Sequence, residues 1–353
     1  MLRPALPFLA ASAVVAGLAA CGGGGEIPTS DPVPSEGPAA PGESTSGGPS
    51  TSGGPSTSGG PSTSGGPGPD PKKTVRFVAM GDTGTGSSGQ VKIANAIEAK
   101  CKKDGCDFVQ LLGDNLYDSG ASSVDDGIWQ THFEAPYAAI NLPFYAVLGN
   151  HDYGHGGTGT DFPRGKVQVD YTKKSTKWKM PAAYYHWTKE HVEMFGLDTN
   201  MVFFSQAGGQ KTDMNGWLAA STAEWKIAFG HHPYKSNGPH GNAGNYEGLP
   251  IAVPPVSGKA VKDFLEDTIC GKVDLYLCGH DHSRQWLNVG CKGTELAVSG
   301  AGAKATELPG NNPALFQSIE LGFLYLVIEG KKLTAEFIDE NGVVEFTHTK
   351  TKP

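Results

Sequence analysis

The sequence has little net charge and no excess of basic residues. Its 353 residues include 28 Lys and Arg against 36 Asp and Glu, which gives a formal charge of −8. A domain that binds nucleic acid usually carries a basic patch or stripe, so this balance gives no support to a nucleic-acid partner. The hydrophobic content of 38% is ample for a buried core and excludes a wholly disordered chain.

The apolar run near the N-terminus is too short for a membrane-spanning helix. It extends from Ala5 to Ala20, whereas a spanning helix needs roughly 20 apolar residues. A short run that ends in small residues is typical of a signal peptide and predicts export. Its last residues and the cysteine after them, LAAC, resemble a bacterial lipobox, in which the cysteine (here Cys21) is lipidated and becomes the first mature residue. The alternative is an ordinary secretory signal in which Cys21 is incidental.

Residues 22–71 offer almost no side chains that a core can bury. The segment consists mainly of Gly, Pro, Ser and Thr with five acids and no base, and the hexapeptide STSGGP occurs in it four times, starting at Ser44, Ser50, Ser56 and Ser62. We expect a disordered tether, because burial cannot recover the entropy lost on ordering. A glycosylated or wall-crossing stalk is the alternative. The sequence therefore predicts a signal peptide (1–21), a tether (22–71) and a folded catalytic region (72–353).

Thiols are scarce as well. Besides Cys21 there are five cysteines, so at least one is free if the others form disulfides. Cys278 ends an apolar run and is the expected free thiol, because a buried cysteine behaves as a small hydrophobe. The plausible disulfide pairs are Cys101 with Cys106 and Cys270 with Cys291.

The folded region alternates between two kinds of hydrophobic pattern. Short apolar runs rich in branched or aromatic residues predict buried strands at 75–80, 108–112, 144–148, 192–197, 226–229, 273–278 and 295–298. Helical patterns occur at 91–100, around Trp217 and at 259–269. This alternation favours an α/β fold. Hairpin-like connections join the last three runs, so we expect antiparallel strands at 323–329, 333–339 and 343–348.

Polar segments that begin with glycine follow five of the predicted strands. They are GDTG at 81–84, GDNLY at 113–117, GNHD at 149–152, GHHP at 230–233 and GHDH at 279–282. Ligands bind outside the carboxyl ends of strands in open α/β sheets, so we expect the five to converge. They offer carboxylates, an amide, a phenol and imidazoles without thiolate, which suits iron, manganese or zinc. A set this large and dispersed favours two ions that share a bridging carboxylate over a structural zinc.

The order of these motifs resembles that of the purple acid phosphatases, a group within the calcineurin-like metallophosphoesterases, and is most similar to the small tartrate-resistant type. The resemblance implies a four-layer α/β/β/α sandwich with two mixed sheets and C-terminal antiparallel hairpins. It also implies an acid phosphatase that hydrolyses phosphate monoesters by attack of a metal-activated hydroxide. Most calcineurin-like esterases carry Asp-x-His in the first motif, but here Gly84 takes the histidine's place. Tyr117 instead matches the tyrosine ligand of the purple enzymes.

By position, the resemblance implies seven metal ligands and two further histidines. The first ion would be held by Asp82, Asp114, Tyr117 and His282, and the second by Asp114, Asn150, His231 and His280. The implied ions are iron(III), which a hard phenolate favours, and a divalent iron, zinc or manganese. His151 and His240 match the histidines that contact phosphate or protonate the leaving group. We also expect Asp152 to orient a neighbouring histidine.

Three other functions stay open at this stage. The same fold could act on phosphodiesters or nucleotides. A surface-tethered binding module with a structural metal site would not be an enzyme. The segment GTGSSG at 84–89 fits the GxGxxG pattern of a dinucleotide-binding oxidoreductase, but that hypothesis leaves four polar segments unexplained. The favoured prediction is an exported phosphatase for small phosphoesters, anchored by lipid at Cys21 in an outer membrane or at the cell surface if the host is Gram-negative; it includes no oligomeric state.

Overall fold

The computed structural model describes residues 73–353, so the predicted signal peptide and tether lie outside the described residues. The helices are α1 Ser88–Asp104, α2 Gly165–Tyr171, α3 Thr199–Phe203, α4 Gln210–Ala220 and α5 Lys259–Thr268. The strands are β1 Thr74–Met80, β2 Phe108–Leu111, β3 Phe144–Ala146, β4 Trp178–Lys179, β5 Tyr185–Lys189, β6 Val192–Gly196, β7 Trp225–Phe229, β8 Leu275–Cys278, β9 Arg284–Leu287, β10 Glu295–Ser299, β11 Ala314–Ser318, β12 Gly322–Glu329, β13 Lys332–Asp339 and β14 Val344–Thr351. Within 73–353, no helix combines the length and apolar character that crossing a bilayer requires.

The strands form two seven-stranded mixed sheets. The first sheet has the order β14-β13-β12-β1-β2-β3-β4, and the second has the order β11-β9-β10-β8-β7-β6-β5. Parallel pairing joins β1, β2, β3 and β4 in one sheet and β6, β7, β8 and β10 in the other. The C-terminal strands pair antiparallel as two successive hairpins. The predicted α/β class with closing antiparallel strands is confirmed.

The central strands of the second sheet are buried on both faces. Along β7, Trp225, Ile227 and Phe229 join a core shared with the first sheet and α1, while Ala228 points to the opposite face. That opposite face packs against α3, α4 and α5. A strand covered on both sides is mainly apolar, as β7 is at every position except the half-buried Lys226. The layers are therefore α1, the first sheet, the second sheet, and the helices α3, α4 and α5.

The boundaries differ from the sequence prediction where capping decides them. Helix α1 begins three residues before the predicted start, because the Ser87 hydroxyl accepts a hydrogen bond from the backbone of Gln90 and caps the first turn. The short strand β9 was not predicted, although all four of its residues are buried. Both predicted disulfides are present, and the thiol of Cys278 is free and buried.

Candidate metal centre

The five polar segments meet at the carboxyl ends of the strands. Three of the predicted ligands have a left-handed backbone, with φ of 60° at Asp82, 52° at Asp114 and 72° at His280. Residues other than glycine rarely adopt this conformation, and it costs on the order of 1 kcal/mol or more at each position. Such strain is retained where the surrounding structure fixes a side chain for function.

Two glycines allow the segments to approach one another. A Cβ at Gly149 would lie 2.1 Å from Oδ1 of Asp114, and a Cβ at Gly279 would lie 2.4 Å from Oδ2 of Asp82. Any larger residue would therefore push these carboxylates out of place. The close approach of the segments therefore depends on glycine at both positions.

The side chains predicted for the first ion are in mutual contact. The phenol of Tyr117 donates to Asp82 Oδ1 at 3.0 Å and lies 2.9 Å from Asp114 Oδ2. His282 Nε2 lies 3.2 Å from the same phenolic oxygen and 3.4 Å from Asp82 Oδ1. Two carboxylates and an imidazole thus contact the phenolic oxygen of Tyr117.

The side chains predicted for the second ion form an adjacent group. His231 Nε2 lies 3.0 Å from Asn150 Oδ1 and 3.1 Å from His280 Nδ1. The same nitrogen is 3.4 Å from Asp114 Oδ2, the oxygen that also contacts Tyr117. Asp114 is therefore the residue shared by the two groups, as a bridging carboxylate must be.

The donor set fits a pair of cations. Ligand atoms of Asp82, Asp114 and His231, all three buried, lie within 4.8 Å of one another. Burying two carboxylates this close together is costly unless positive charge compensates them. Oxygen and imidazole donors together suit the borderline and hard ions that the sequence prediction named. The seven predicted ligands thus form two groups that share Asp114, which is the arrangement a binuclear centre requires.

The acid–base behaviour of the site without metal shows what the cations have to overcome. Burial, followed by the charges of Asp114 and Asp82, raises the pKa of Tyr117 well above its ordinary value. Burial alone would raise the pKa of Asp114, but the neighbouring His231 outweighs it, so that this carboxyl is held ionised. Burial lowers the pKa of His280 well below its usual range, which keeps its ring neutral and able to bind a metal. Tyr117 can act as a phenolate only when a cation is bound beside it.

Gly84, which takes the place of the histidine in most calcineurin-like esterases, must be glycine for a steric reason. A Cβ at Gly84 would lie 1.7 Å from the carbonyl oxygen of Asn115, so only glycine lets the second motif pack this closely. The backbone N–H of Tyr117 then donates to the Gly84 carbonyl at 2.7 Å, which fixes the turn that carries the phenol. The same contact commits the first glycine of GTGSSG to the metal centre, which further weakens the dinucleotide-binding alternative.

Asp152 does not orient a histidine, and this part of the sequence prediction is wrong. Its buried carboxylate accepts hydrogen bonds from the backbone N–H groups of Gly149, Asn115 and Leu116, at 2.8 to 3.1 Å. It also accepts from the side-chain amides of Asn115 and Gln168. A carboxylate satisfies several convergent N–H donors better than any neutral group does. Asp152 therefore joins the second and third motifs and sets the distance between Asp114 and Asn150.

Contacts outside the ligand set orient two of the predicted metal ligands. His231 Nδ1 lies 2.9 Å from the Leu112 carbonyl, which makes Nδ1 the protonated nitrogen and leaves Nε2 for a metal. The amide nitrogen of Asn150 donates to the Gly157 carbonyl at 2.7 Å, so its oxygen faces His231. Sequence reasoning missed these partners because the backbone carbonyls involved leave no sequence signal.

His151 and His240 contact different predicted ligands. The ring of His151 is 4.4 Å from that of Tyr117, and its Nδ1 lies 2.7 Å from the carbonyl of Asp118. The ring of His240 stacks on His280 with centroids 3.9 Å apart. Both are therefore adjacent to the metal centre, as predicted, and each contacts a different ligand group.

A carboxylate that sequence reasoning missed lies beside His240. The Nδ1 atom of His240 is hydrogen-bonded to Glu247. Burial would lower the pKa of His240, but the bond to Glu247 and the charge of Asp281 outweigh it and raise that pKa. No motif marks Glu247, because it lies in a loop whose conformation is not evident from residue spacing.

Comparison with known proteins agrees with this geometry. The model of the calcineurin-like phosphoesterase family matches residues 75–284, which is more than half of the chain. The chain belongs to the calcineurin-like phosphoesterase family. The matched range contains all seven predicted ligands of this phosphoesterase, from Asp82 to His282.

The relatives of this phosphoesterase include purple acid phosphatases. Purple acid phosphatase 4 of Arabidopsis thaliana is 30% identical over 264 residues, covering 67% of this chain and 70% of the plant protein. Tartrate-resistant acid phosphatase type 5 of Rattus norvegicus is 28% identical over 313 residues, covering 77% and 89%. Among solved structures, purple acid phosphatase PPD1 of yellow lupin matches with a TM-score of 0.60 at 19% identity, over 79% of this chain and 54% of that one. The last match shows a shared fold.

Proposed function

We propose that this protein is a binuclear-metal acid phosphatase that hydrolyses phosphate monoesters. The observation that carries the proposal is the position of Asp114 Oδ2, which lies 2.9 Å from the Tyr117 phenol and 3.4 Å from His231 Nε2, between two complete ligand groups. Homology to purple acid phosphatases supports the same activity. When bound, the two ions would activate water and neutralise the oxygens of the phosphoryl group.

The protein's own residues would supply orientation and a proton. Asp82, Asp114, Tyr117 and His282 would hold one ion and Asp114, Asn150, His231 and His280 the other. His151 and His240 flank the ligands, so each is placed to contact the phosphoryl group or to protonate the departing alcohol. The two further histidines beside the ligands argue against the non-catalytic binding module, because a structural metal site has no need of them.

The test compares two esters with the same leaving group. With two ions bound, the protein should hydrolyse p-nitrophenyl phosphate at acid pH at least roughly 100-fold faster than bis(p-nitrophenyl) phosphate. Preference for the diester would replace the proposal with the phosphodiesterase alternative. Failure to hydrolyse either ester with both ions bound would favour the binding module.

We also propose that the first ion is iron(III) and that the second is a divalent iron, zinc or manganese. The contacts of Tyr117 with Asp82, Asp114 and His282 support this, because a phenolate is a hard anionic ligand for iron(III). The loaded protein should then show a visible charge-transfer band that disappears in Tyr117→Phe. Two bound ions without that band would remove the iron(III) assignment and leave the phosphatase proposal intact.

For the location we propose export and lipid attachment at Cys21, with a tether at 22–71 between the lipid and the catalytic domain. The sequence LAAC supports the lipid, and the repeated STSGGP supports the tether. Cys21→Ser should release the protein from the membrane fraction in its bacterial host. Membrane association that persists in this variant would contradict the anchor.

A further inference from the structure

Glu247 folds back onto His240 through two contacts. Its carboxylate is hydrogen-bonded to Nδ1 of the His240 ring, and its backbone N–H donates to the His240 carbonyl at 3.1 Å. Six residues separate the two positions in the sequence. The loop between them therefore closes on itself and brings a carboxylate to the Nδ1 edge of the His240 ring, whose face stacks on His280.

The backbone around Glu247 is held in this arrangement at a cost. Its φ of 55° lies in the left-handed region, which a residue with a long side chain seldom adopts. The preceding residue, Tyr246, is buried; its phenol donates to the carbonyl of Pro233, and its N–H donates to the carbonyl of Ser257 at 3.1 Å. These two hydrogen bonds of Tyr246 hold the turn in place. The left-handed backbone at Glu247 then brings its side chain into contact with His240.

Three contacts together determine where the His240 ring lies. The backbone N–H of His240 donates to Asp281 Oδ1 at 2.9 Å, and the ring stacks on His280 with centroids 3.9 Å apart. Glu247 binds Nδ1, and within residues 73–353 Nε2 has no hydrogen-bond partner. The nitrogen left for a substrate is therefore Nε2, beside the second ligand group.

We propose that Glu247 is a positioning residue, which holds the imidazole of His240 so that Nε2 meets the oxygen of the departing alcohol. The proposal rests on the function proposed above and extends it to a residue outside the motifs. A carboxylate that accepts from Nδ1–H fixes the ring orientation. When the ring is an imidazolium, Nε2–H supplies the proton that passes to the alkoxide oxygen, and the ring is left neutral. The Glu247 side chain is 54% exposed, and an exposed ion pair contributes little to stability. Its function is thus separable from folding.

The experiment compares esters with good and poor leaving groups. In Glu247→Ala, kcat for an alkyl phosphate should fall roughly 10-fold, because the alkoxide needs a proton as it leaves, while kcat for p-nitrophenyl phosphate should change by less than about twofold. KM should stay constant for both esters. Glu247→Gln, whose amide oxygen can still accept from Nδ1–H, should recover most of the lost rate. Glu329→Ala, which removes an exposed acid at the end of β12, should alter the hydrolysis of neither ester.

A double-mutant cycle decides between positioning and a separate effect. In the His240→Ala background, Glu247→Ala should cause no further loss, because the residue that it positions is gone. Equal losses on both esters, or a further loss of similar size in the His240→Ala background, would overturn the proposal. Metal content, measured in every variant, should stay at the wild-type value. If the wild-type protein with both ions bound hydrolyses neither ester, the proposed function fails, which is a different outcome from failure of the role of Glu247.

Discussion

The two halves of the metal centre are built by different means. The oxygen half, which consists of Asp82, Asp114, Tyr117 and Asn150, follows strands of the first sheet, and the imidazole half, which consists of His231, His280 and His282, follows strands of the second. One buried carboxylate, Asp152, holds the second and third motifs of the oxygen half together. The imidazole half is held by separate contacts: the Leu112 carbonyl binds the His231 ring, Asp82 accepts from the backbone N–H of His280, and the His280 ring stacks on His240. Loss of one supporting residue should therefore disturb more of the oxygen half than of the imidazole half.

The largest effect is expected where the halves meet. Asp114→Asn should lower phosphatase activity by roughly 10³-fold and reduce the metal content, because both ions lose their shared anionic ligand. Metal analysis and p-nitrophenyl phosphate hydrolysis measure the two effects. The matched control is Asp125→Asn, since the Asp125 side chain is 81% exposed and contacts Lys174, which lies outside the five polar segments. Full activity in Asp114→Asn would show that the carboxylate does not bridge.

The next effect compares the free energies of unfolding after loss of Asp152, beside the oxygen half, and of Asp281, beside the imidazole half. Asp152→Ala should lower the free energy of unfolding of the metal-free protein by about 3 kcal/mol, because it leaves several buried N–H donors without an acceptor. Asp281→Ala, whose Oδ1 accepts the backbone N–H of His240, should cost about 1 kcal/mol. Urea unfolding of the chelated variants measures both values. Equal losses would remove the distinction between an organised and a distributed half.

The smallest effect concerns a hydrogen bond between two loops, one that follows a strand of the first sheet and one that follows a strand of the second. Tyr153, in the loop after β3, donates to Asp198, which follows β6 and also accepts the N–H of Met201 at 3.0 Å. Burial raises the pKa of Asp198 to about 6. An acid with a raised pKa binds protons more tightly when folded, so its contribution to stability declines as pH rises from about 4 to about 6 and is constant above that.

Tyr153→Phe should deepen this decline, because the ionised carboxylate loses a donor, and the cost should be about 1 kcal/mol at pH 7. Asp198→Asn should abolish the dependence on Asp198 altogether. Thermal or urea unfolding of the chelated protein between pH 4 and pH 7 measures the slope. A slope that Asp198→Asn leaves unchanged would assign the pH dependence to other groups.

Much of the fold and the ligand arrangement could be predicted, because both depend on local patterns. Apolar runs that end in glycine located the main strands of both sheets, and the residues after them converge as expected. Four strands were missed, β4, β5, β9 and β11. Of these, β4 and β9 are short and are stabilised by their neighbours more than by their own composition. The donor types of Asp82, Asp114 and His231 indicated a metal, and their atoms do lie together.

The contacts that support the site were beyond prediction for a physical reason. The partner of Asp152 was misjudged, because proximity in sequence to His151 suggested an imidazole, whereas the fold brings in the backbone N–H groups of Asn115 and Leu116. Glu247 carries no motif, and its contact with His240 depends on a left-handed turn. Side chains that bind backbone groups or close irregular loops respond to tertiary structure, which periodicity does not encode.

The most direct test of the binuclear centre is the number of metal ions bound per chain, measured together with activity during removal and return of metal. We predict two ions per chain in the active protein, loss of p-nitrophenyl phosphate hydrolysis as chelation removes them, and recovery only when both sites are refilled. Full activity in the metal-free protein, or with a single ion per chain, would contradict the account.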